Sequence, residues 1–222
     1  MKSFNQKQLI SAILLPLLPI CLVSCTAEKK VELFNGENLD NWTIFVGDAD
    51  VDEEDLFWVE NNVIQVAGTP NGYIRTRNSF SDYELHLEWR WTGEPVNSGV
   101  LLHVQGEDMI WPLAIECQLM HEHAGDVVLI GKGAGITVRD STYLVKSDEN
   151  RFVIIPRWEE SSENPPGEWN SYDIRSRRGK LEVKVNGVLQ NRGSGMTLTE
   201  GNIVLQSEGA PMQFRNLYLI PL

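Results

Sequence analysis

The sequence contains 222 residues, of which 42% are hydrophobic and 23% are charged, and it carries a formal net charge of −12. This length suits a single domain, and the ordinary apolar fraction argues against an intrinsically disordered chain. We expect no nucleic-acid partner, because an acidic chain without a cluster of lysine and arginine has nothing to neutralise phosphates.

The N-terminus has the pattern of a bacterial export signal. Lys2 and Lys7 form a short basic start before an apolar run over residues 9–23, which is too short and too interrupted by proline for a membrane-spanning helix. Its end, Leu22-Val23-Ser24-Cys25, resembles the lipobox of bacterial lipoproteins. A plain signal peptide with a chance cysteine is the alternative. The pattern predicts a lipoprotein signal peptide over residues 1–24, lipidation of Cys25 and a tether over residues 25–30. We therefore expect an exported chain, lipid-anchored to a membrane of the bacterial cell envelope.

From residue 31 onward, short runs of alternating apolar and polar residues are separated by turn residues, which is typical of half-buried strands. Residues 83–91 are the clearest case, and residues 113–120 alternate in the same way. The Asn186-Gly187 pair between two apolar runs predicts a type I′ hairpin. No helical periodicity exceeds three turns. The sequence therefore predicts an all-β, two-sheet antiparallel sandwich over residues 31–222.

A set of short motifs spans residues 33–221. In chain order they include Leu33-Phe34-Asn35-Gly36, Asn97-Ser98-Gly99-Val100, Glu116-Cys117-Gln118, Asn186-Gly187 and the run over residues 201–209. Together these motifs resemble the DUF1080 family, also called the 3-keto-disaccharide hydrolase domain. The resemblance implies a concanavalin A-like jelly roll, a saccharide substrate, and cleavage of 3-keto-glycosides or related saccharides. It also implies coupling to a sugar 3-oxidoreductase that makes the keto substrate.

Candidate site residues lie on the polar faces of neighbouring predicted strands. Glu116 and Gln118 are two residues apart, so their side chains project the same way, and His103 is expected to join them from the preceding strand. Where the family resemblance leads us to expect an arginine and an aspartate, this chain has His103 and His121. These departures enrich the region in imidazole.

The chemistry of a 3-keto sugar requires one base and one group that stabilises the enolate oxygen, because the ketone acidifies the C2 proton. We expect Glu116 to be the base, with His103, His121 and Glu208 as proton donors or metal ligands. Glu208 follows Gln206 on the same strand face, and a hydrogen-bonded turn residue is the alternative for it.

A divalent metal ion is a possible cofactor of this region. A carboxylate with the imidazoles of His121 and His123 is a donor set for Ca²⁺, Zn²⁺ or Mn²⁺. The His-Glu-His spacing is, however, no established zinc motif, and solvated residues at a strand end are the alternative.

Amide and aromatic side chains complete the expected saccharide site. We expect Gln118 and Gln206 to bind substrate, and Trp111 and Trp158 to stack on a pyranose from predicted loops, although packing is the alternative for both rings. The same fold also serves non-catalytic modules, so a carbohydrate-binding module of an envelope lipoprotein is the second hypothesis. A purely structural lipoprotein is the third.

Overall fold

The computed structural model describes residue 1 and residues 29–222. The predicted signal peptide, Cys25 and most of the predicted tether lie outside these residues and stay predictions. Among the described residues, the structure contains no helix with the length and apolar character needed to cross a membrane.

The domain consists almost wholly of short strands, as the alternating pattern predicts. Within residues 29–222 the strands are β1 (Val31–Glu32), β2 (Trp42–Val46), β3 (Phe57–Glu60), β4 (Val63–Val66), β5 (Gly72–Thr76), β6 (Tyr83–Trp91), β7 (Gly99–Gln105), β8 (Leu113–Gln118), β9 (Val127–Ile130), β10 (Gly135–Val138), β11 (Ser141–Leu144), β12 (Phe152–Ile155), β13 (Asn170–Arg177), β14 (Lys180–Val185), β15 (Val188–Ser194), β16 (Asn202–Ser207) and β17 (Met212–Pro221). The only helix among the same residues is α1 (Glu53–Leu56).

These strands form two sheets. The ten-stranded sheet has the order β11-β10-β15-β14-β13-β6-β17-β4-β3, with β1 paired to β17. The seven-stranded sheet has the order β12-β9-β8-β7-β16-β5-β2. All pairings between these strands are antiparallel. The predicted all-β sandwich is therefore confirmed.

The main core lies between the sheets and is made by alternate residues of each strand. In β6, the inward residues Leu87, Trp89 and Trp91 are buried, whereas the residues between them are partly exposed. The ring of Trp89 packs against Tyr172 of the neighbouring strand, with centroids 4.8 Å apart. The expected hairpin joins β14 to β15, and both Asn186 and Gly187 have positive φ, as a type I′ turn requires.

The seven-stranded sheet carries a second, smaller apolar cluster on its outer face, away from the main core. Its buried members are Tyr73, Leu101, Val104, Ala114, Val128, Ile130 and Val204. The loop over residues 106–112, between β7 and β8, is fastened to this face by Asp108, which accepts a hydrogen bond of 2.8 Å from the Tyr73 hydroxyl. Arg75 pairs with the same carboxylate at 3.0 Å. The outer face of the seven-stranded sheet is therefore partly covered, and it holds the candidate site.

Candidate active site

The side chains of Glu116 and Gln206 meet over a glycine on the outer face. Gly99 lies on β7, between β8, which carries Glu116, and β16, which carries Gln206. A Cβ on Gly99 would lie 2.2 Å from Oε1 of Glu116 and 2.4 Å from Oε1 of Gln206. Only a residue without a side chain leaves room for both groups. Gly99 therefore brings a carboxyl group and an amide together above the middle of the sheet.

Glu208 joins this pair from the end of β16. Its backbone forms an isolated bridge to Asn97, the residue two before Gly99. Between them, the Ser98 hydroxyl donates a hydrogen bond of 2.9 Å to the carbonyl oxygen of Gln206. The start of β7 and the end of β16 are therefore held together, and Glu208 is close enough for its charge to act on Glu116.

The two carboxyl groups have unequal environments. Burial raises the pKa of Glu116 well above its usual range, and the nearby charge of Glu208 raises it further. Burial also raises the pKa of Glu208, but the side chains of Trp111 and Asn97 favour its charged form and so limit the shift. Glu116 therefore has the stronger tendency to be protonated, and Glu208 has the stronger tendency to be an ionised carboxylate.

Two amide oxygens at this site have no hydrogen-bond donor. Among the described residues, Oε1 of Gln206 and Oδ1 of Asn97 are buried and unpartnered. Leaving a buried acceptor unsatisfied costs free energy, so such an atom calls for a donor from a ligand or water. Together with the two carboxyl groups, these oxygens form a set of acceptors suited to sugar hydroxyls. Sequence reasoning did not select Asn97 or Gly99 as site residues, although the Asn97-Ser98-Gly99 motif was the signal that marked them.

Gln118 has a structural contact as well as a position near the site. Its Oε1 accepts hydrogen bonds from the backbone N–H groups of Leu119 at 3.1 Å and Met120 at 3.2 Å. The side chain therefore fixes the turn that follows β8. It also lines a cavity of about 680 Å³ at the edge of the seven-stranded sheet.

His103 lies in the interior, so the expectation that it shares a face with Glu116 is wrong. Leu101 lies directly across from Glu116, and strict alternation would place His103 on the same outer face. The pairing shifts after Leu102, and His103 has a φ of +54°. This β-bulge turns the imidazole inward, where Nε2 lies 2.8 Å from Oγ of Ser176 in the other sheet.

The interior position also determines the protonation state of His103. Burial lowers its pKa from 6.5 to about 4, while the Phe80 backbone and the Asp82 carboxylate act weakly in the opposite direction. The ring is therefore neutral near pH 7 and takes no part in the acid–base site.

His121 and His123 contact different carboxylates. Nδ1 of His121 lies 3.7 Å from Glu163, and Nδ1 of His123 lies 3.2 Å from Asp126. Glu122 between them has a φ of +62°, so the two histidines lie on either side of a sharp turn and do not share one side of a strand. Within residues 29–222, no three His, Cys, Asp or Glu side chains gather as a metal site. The donor set expected from the sequence is therefore not assembled, and we derive no step through a metal.

Trp111 lies within the site. Its ring contacts Phe152 edge to face, with centroids 5.7 Å apart, and packs on the outer apolar cluster. Arg151 donates a hydrogen bond of 2.7 Å to its carbonyl oxygen. The ring is also the neighbour that favours the charged form of Glu208. Trp111 therefore stands beside one of the two carboxyl groups.

Trp158 lies at the edge of the sandwich. Its ring packs against the main core, and the Arg139 guanidinium lies 5.1 Å from the ring centroid. It lines the cavity of about 680 Å³ that Gln118 also lines. Trp158 is therefore beside the rim of the outer face and not beside the carboxyl pair.

Comparison with known proteins places the chain in a family. Residues 29–220 match the sequence profile described as the 3-keto-alpha-glucoside-1,2-lyase-like domain. The chain belongs to this family. The resemblance found in the sequence motifs is thereby confirmed, and the domain is carbohydrate-related and glycosyl hydrolase-like. No curated protein matches the chain.

Solved structures agree with this fold. Two proteins from Parabacteroides distasonis, each provisionally assigned as a glycosyl hydrolase, have TM-scores of 0.61, and both alignments cover 87% of this chain. They are 24% and 20% identical to it, with 94% and 100% of their own chains covered. The β-glucanase of Bacillus licheniformis has a TM-score of 0.56 at 11% identity, covering 86% of this chain and 96% of that one. At these identities the likeness shows the fold alone, and it confirms the predicted jelly roll.

Proposed function

We propose that this 3-keto-alpha-glucoside-1,2-lyase-like domain cleaves 3-keto-glycosides by eliminating the aglycone and then adding water. The observation that carries the proposal is the pair of unequal carboxyl groups, Glu116 and Glu208, on one face of the sheet. Two carboxyl groups whose environments push their pKa values apart are the usual basis for assigning an acid and a base. The unpartnered amide oxygens beside them supply acceptors for the sugar hydroxyls.

The reaction needs one proton removed and one delivered. The C3 ketone acidifies the C2 proton, and a base removes it. The electron pair left on C2 forms the C1–C2 double bond as the bond from C1 to the glycosidic oxygen breaks. That oxygen keeps the bonding pair and takes a proton, which gives the free aglycone. Water then adds its hydroxyl to C1 and its hydrogen to C2, which gives the free 3-keto sugar.

The two carboxyl groups suit these two steps. Glu208, the better carboxylate, removes the C2 proton, and Glu116, the better proton holder, protonates the departing oxygen. This exchanges the roles expected from the sequence, where Glu116 is the base. Gln206 and Asn97 accept hydrogen bonds from the sugar and hold it over Gly99, and Trp111 borders the sugar beside Glu208.

The proposal extends to where the reaction takes place. The lipobox-like segment supports an exported chain anchored by lipid at Cys25 to a membrane of the cell envelope. An oxidoreductase acting at C3 of the sugar must supply the keto substrate, so we place this domain downstream of such an enzyme.

The test uses two substrates that differ in their need for an acid. Methyl 3-keto-glucoside has a poor leaving group, which must be protonated as it departs. The 4-nitrophenolate of 4-nitrophenyl 3-keto-glucoside departs as an anion without protonation. We expect Glu208→Gln to lower kcat/KM about a thousandfold on both substrates. Glu116→Gln should lower it by a similar factor on the methyl glycoside and by less than about tenfold on the nitrophenyl glycoside. Glu84→Gln, on the outer face of the ten-stranded sheet, is the matched control and should change neither.

Two outcomes would overturn the proposal. Full turnover of both substrates by both site variants would remove the carboxyl pair from the chemistry. Saccharide binding by calorimetry without any product would support the alternative, a non-catalytic carbohydrate-binding module.

A further inference from the structure

Basic side chains concentrate on the face of the protein opposite the carboxyl pair. Residues 170–194, which form β13, β14 and β15, contain six lysine and arginine residues and two acidic ones, in a chain whose formal net charge is −12. Alternation in β13 and β14 buries every second side chain, which leaves Arg175, Lys180 and Lys184 on the outer face of the ten-stranded sheet. A basic region on an acidic chain is a surface suited to an anionic partner.

Three cations from separate strands meet at one cavity on this face. Lys180 begins β14, Arg192 lies in β15, and Arg139 directly follows β10. Because β15 lies between β10 and β14 in the sheet, the three side chains line a single cavity of about 530 Å³. The described residues around this cavity include one acid, Glu182. The cluster is not visible in the sequence, since Arg139 is far from the other two cations along the chain.

The three cations are only partly neutralised. Nε of Arg192 lies 2.8 Å from Glu182, which fixes this guanidinium. Within residues 29–222, Arg139 and Lys180 form no ion pair with a carboxylate. The Arg139 guanidinium lies 5.1 Å from the ring centroid of Trp158, which holds it at the wall of the cavity. An anion between these cations would gain charge-assisted hydrogen bonds.

The backbone of Arg139 adopts a conformation that is uncommon for arginine. Its φ is +54°, in the left-handed region that asparagine and glycine favour. The hairpin between β14 and β15 has asparagine in a similar conformation, since Asn186 has a φ of +49°. An arginine at this turn costs backbone free energy that asparagine would save, which indicates a use for its guanidinium.

A second cavity continues the first across the same face. Its volume is about 360 Å³, and Glu182 lines both cavities. Its other end reaches Tyr218 of β17, whose ring stacks on His86 with centroids 5.0 Å apart. We call the two cavities together the sheet groove. From β10 to β17 the sheet groove crosses six strands, or about 24 Å, which suits a chain-like ligand better than a single small anion.

We propose that the sheet groove binds an acidic oligosaccharide, with a carboxylate or sulfate group of one sugar held between Arg139, Lys180 and Arg192. The planar guanidinium of arginine matches paired oxygens of such groups. Thr137 and Ser194 line the same cavity, and their hydroxyl groups can pair with sugar hydroxyls. A lipid headgroup would use the cations but leave these hydroxyl groups and the aromatic end of the groove without a partner. The sheet groove is independent of the carboxyl pair, because it lies on the other sheet.

The test measures binding of two acidic tetrasaccharides by calorimetry, each against a neutral counterpart. Tetragalacturonate is compared with its methyl ester, and a sulfated galactotetraose with galactotetraose. We expect at least one acidic tetrasaccharide to bind about tenfold more tightly than its counterpart at low salt, which is the scale of one hydrogen bond to a charged group. The advantage should shrink as salt is added, because exposed charges are screened. The acidic tetrasaccharide that binds identifies the anionic group.

Two substitutions locate the site. Lys180→Gln and Arg139→Asn, which suits the left-handed turn, should together abolish the preference for the acidic tetrasaccharide. Both side chains are exposed, so the folded state should tolerate their loss. Lys132→Gln is the matched control, because Lys132 is an exposed cation that does not line the sheet groove. It should leave the preference unchanged.

Three outcomes would overturn the inference. The first is equal affinity for acidic and neutral tetrasaccharides, and the second is a preference that survives the double substitution. The third concerns a membrane partner, measured as binding to phosphatidylglycerol vesicles relative to phosphatidylcholine vesicles, so that an N-terminal lipid anchor contributes equally to both. If the double substitution removes vesicle binding while neither acidic tetrasaccharide binds, the cations contact lipid. None of these measurements involves turnover, so their result is separate from the test of the proposed function.

Discussion

Strand β7 has Gly99 at one end and His103 near the other, and the polar side chains at these two ends lie on opposite sides of the seven-stranded sheet. At the Gly99 end, the pairing is regular and the polar groups of Glu116 and Gln206 lie on the outer face. At the His103 end, a bulge turns the imidazole into the interior, against Ser176. One end therefore contributes to a site, and the other contributes to the contact between the two sheets.

The two ends also differ in how they respond to protons. Burial acts on both, but it raises the pKa of the carboxyl group of Glu116 and lowers the pKa of the imidazole of His103. Each group is thereby held neutral. For Glu116 the neutral form is a proton donor, whereas for His103 it is simply the form that a dry interior tolerates. A shifted pKa thus marks a functional group only where geometry places it at a site.

The largest effect is expected from Gly99→Ala. The added Cβ would lie 2.2 Å and 2.4 Å from the Oε1 atoms of Glu116 and Gln206, so both groups must move by about 1 Å or more. A displacement of that size at reacting groups costs about a hundredfold in rate. We expect kcat/KM for methyl 3-keto-glucoside to fall by about that factor.

Gly135→Ala is the matched control for this substitution. Gly135 also lies in a strand, β10 of the other sheet, and its Cβ would meet the flexible end of Leu144 at 3.0 Å. It should leave the rate unchanged. Wild-type activity in the Gly99→Ala enzyme, measured with the melting temperature to verify folding, would show that the carboxyl group and the amide do not act together.

The next effect is the response of stability to acid. His103 has a folded pKa of about 4 against 6.5 when unfolded, so between these values the unfolded chain binds the proton and the folded chain does not. Its contribution to stability is therefore lost as the pH falls from 6.5 to 4, by roughly 2 to 3 kcal/mol. His103→Asn removes this loss, and asparagine tolerates the positive φ of the bulge. Urea unfolding at several pH values measures the difference between variant and wild type.

Glu116→Gln provides the comparison at the Gly99 end of β7, where the side chain of Glu116 projects from the neighbouring strand β8. The folded pKa of Glu116 is raised, so its proton stabilises the folded state as the pH falls towards the ordinary value of 4.5. Removing this group should therefore make the loss of stability on acidification steeper than in the wild type, whereas His103→Asn makes it shallower. If the two variants shift the pH profile in the same direction, the opposite pKa shifts of Glu116 and His103 are refuted.

The fold could be predicted because its signal is distributed over many residues. The alternation in residues 83–91 follows from a strand that buries every second side chain, and β6 does so along its whole length. The Asn186-Gly187 turn could be placed because few residue pairs adopt two consecutive positive φ angles. Such local rules need no knowledge of distant partners.

The site could be predicted only where alternation continues. Glu116 and Gln206 were found because β8 and β16 are regular there, whereas His103 was misplaced because nothing in the sequence marks the bulge. The asymmetry between Glu116 and Glu208 depends on which residues cover each carboxyl group, and Trp111 reaches Glu208 from a loop. Contacts of that kind are set by tertiary packing and not by spacing along the chain.

The smallest effect is expected at the loop between β7 and β8, residues 106–112, which follows the bulge and carries Trp111 towards Glu208. Asp108 fastens it through Tyr73 and Arg75, but its carboxylate is 48% exposed, so solvent weakens the ion pair. Asp108→Ala should therefore raise KM about threefold and lower the unfolding free energy by less than about 1 kcal/mol. Asp108→Asn, which keeps an acceptor for the Tyr73 hydroxyl, should have a smaller effect.

Glu107→Ala, in the same loop, is the control for this substitution. An equal rise in KM for Glu107→Ala would show that Asp108 does not position Trp111.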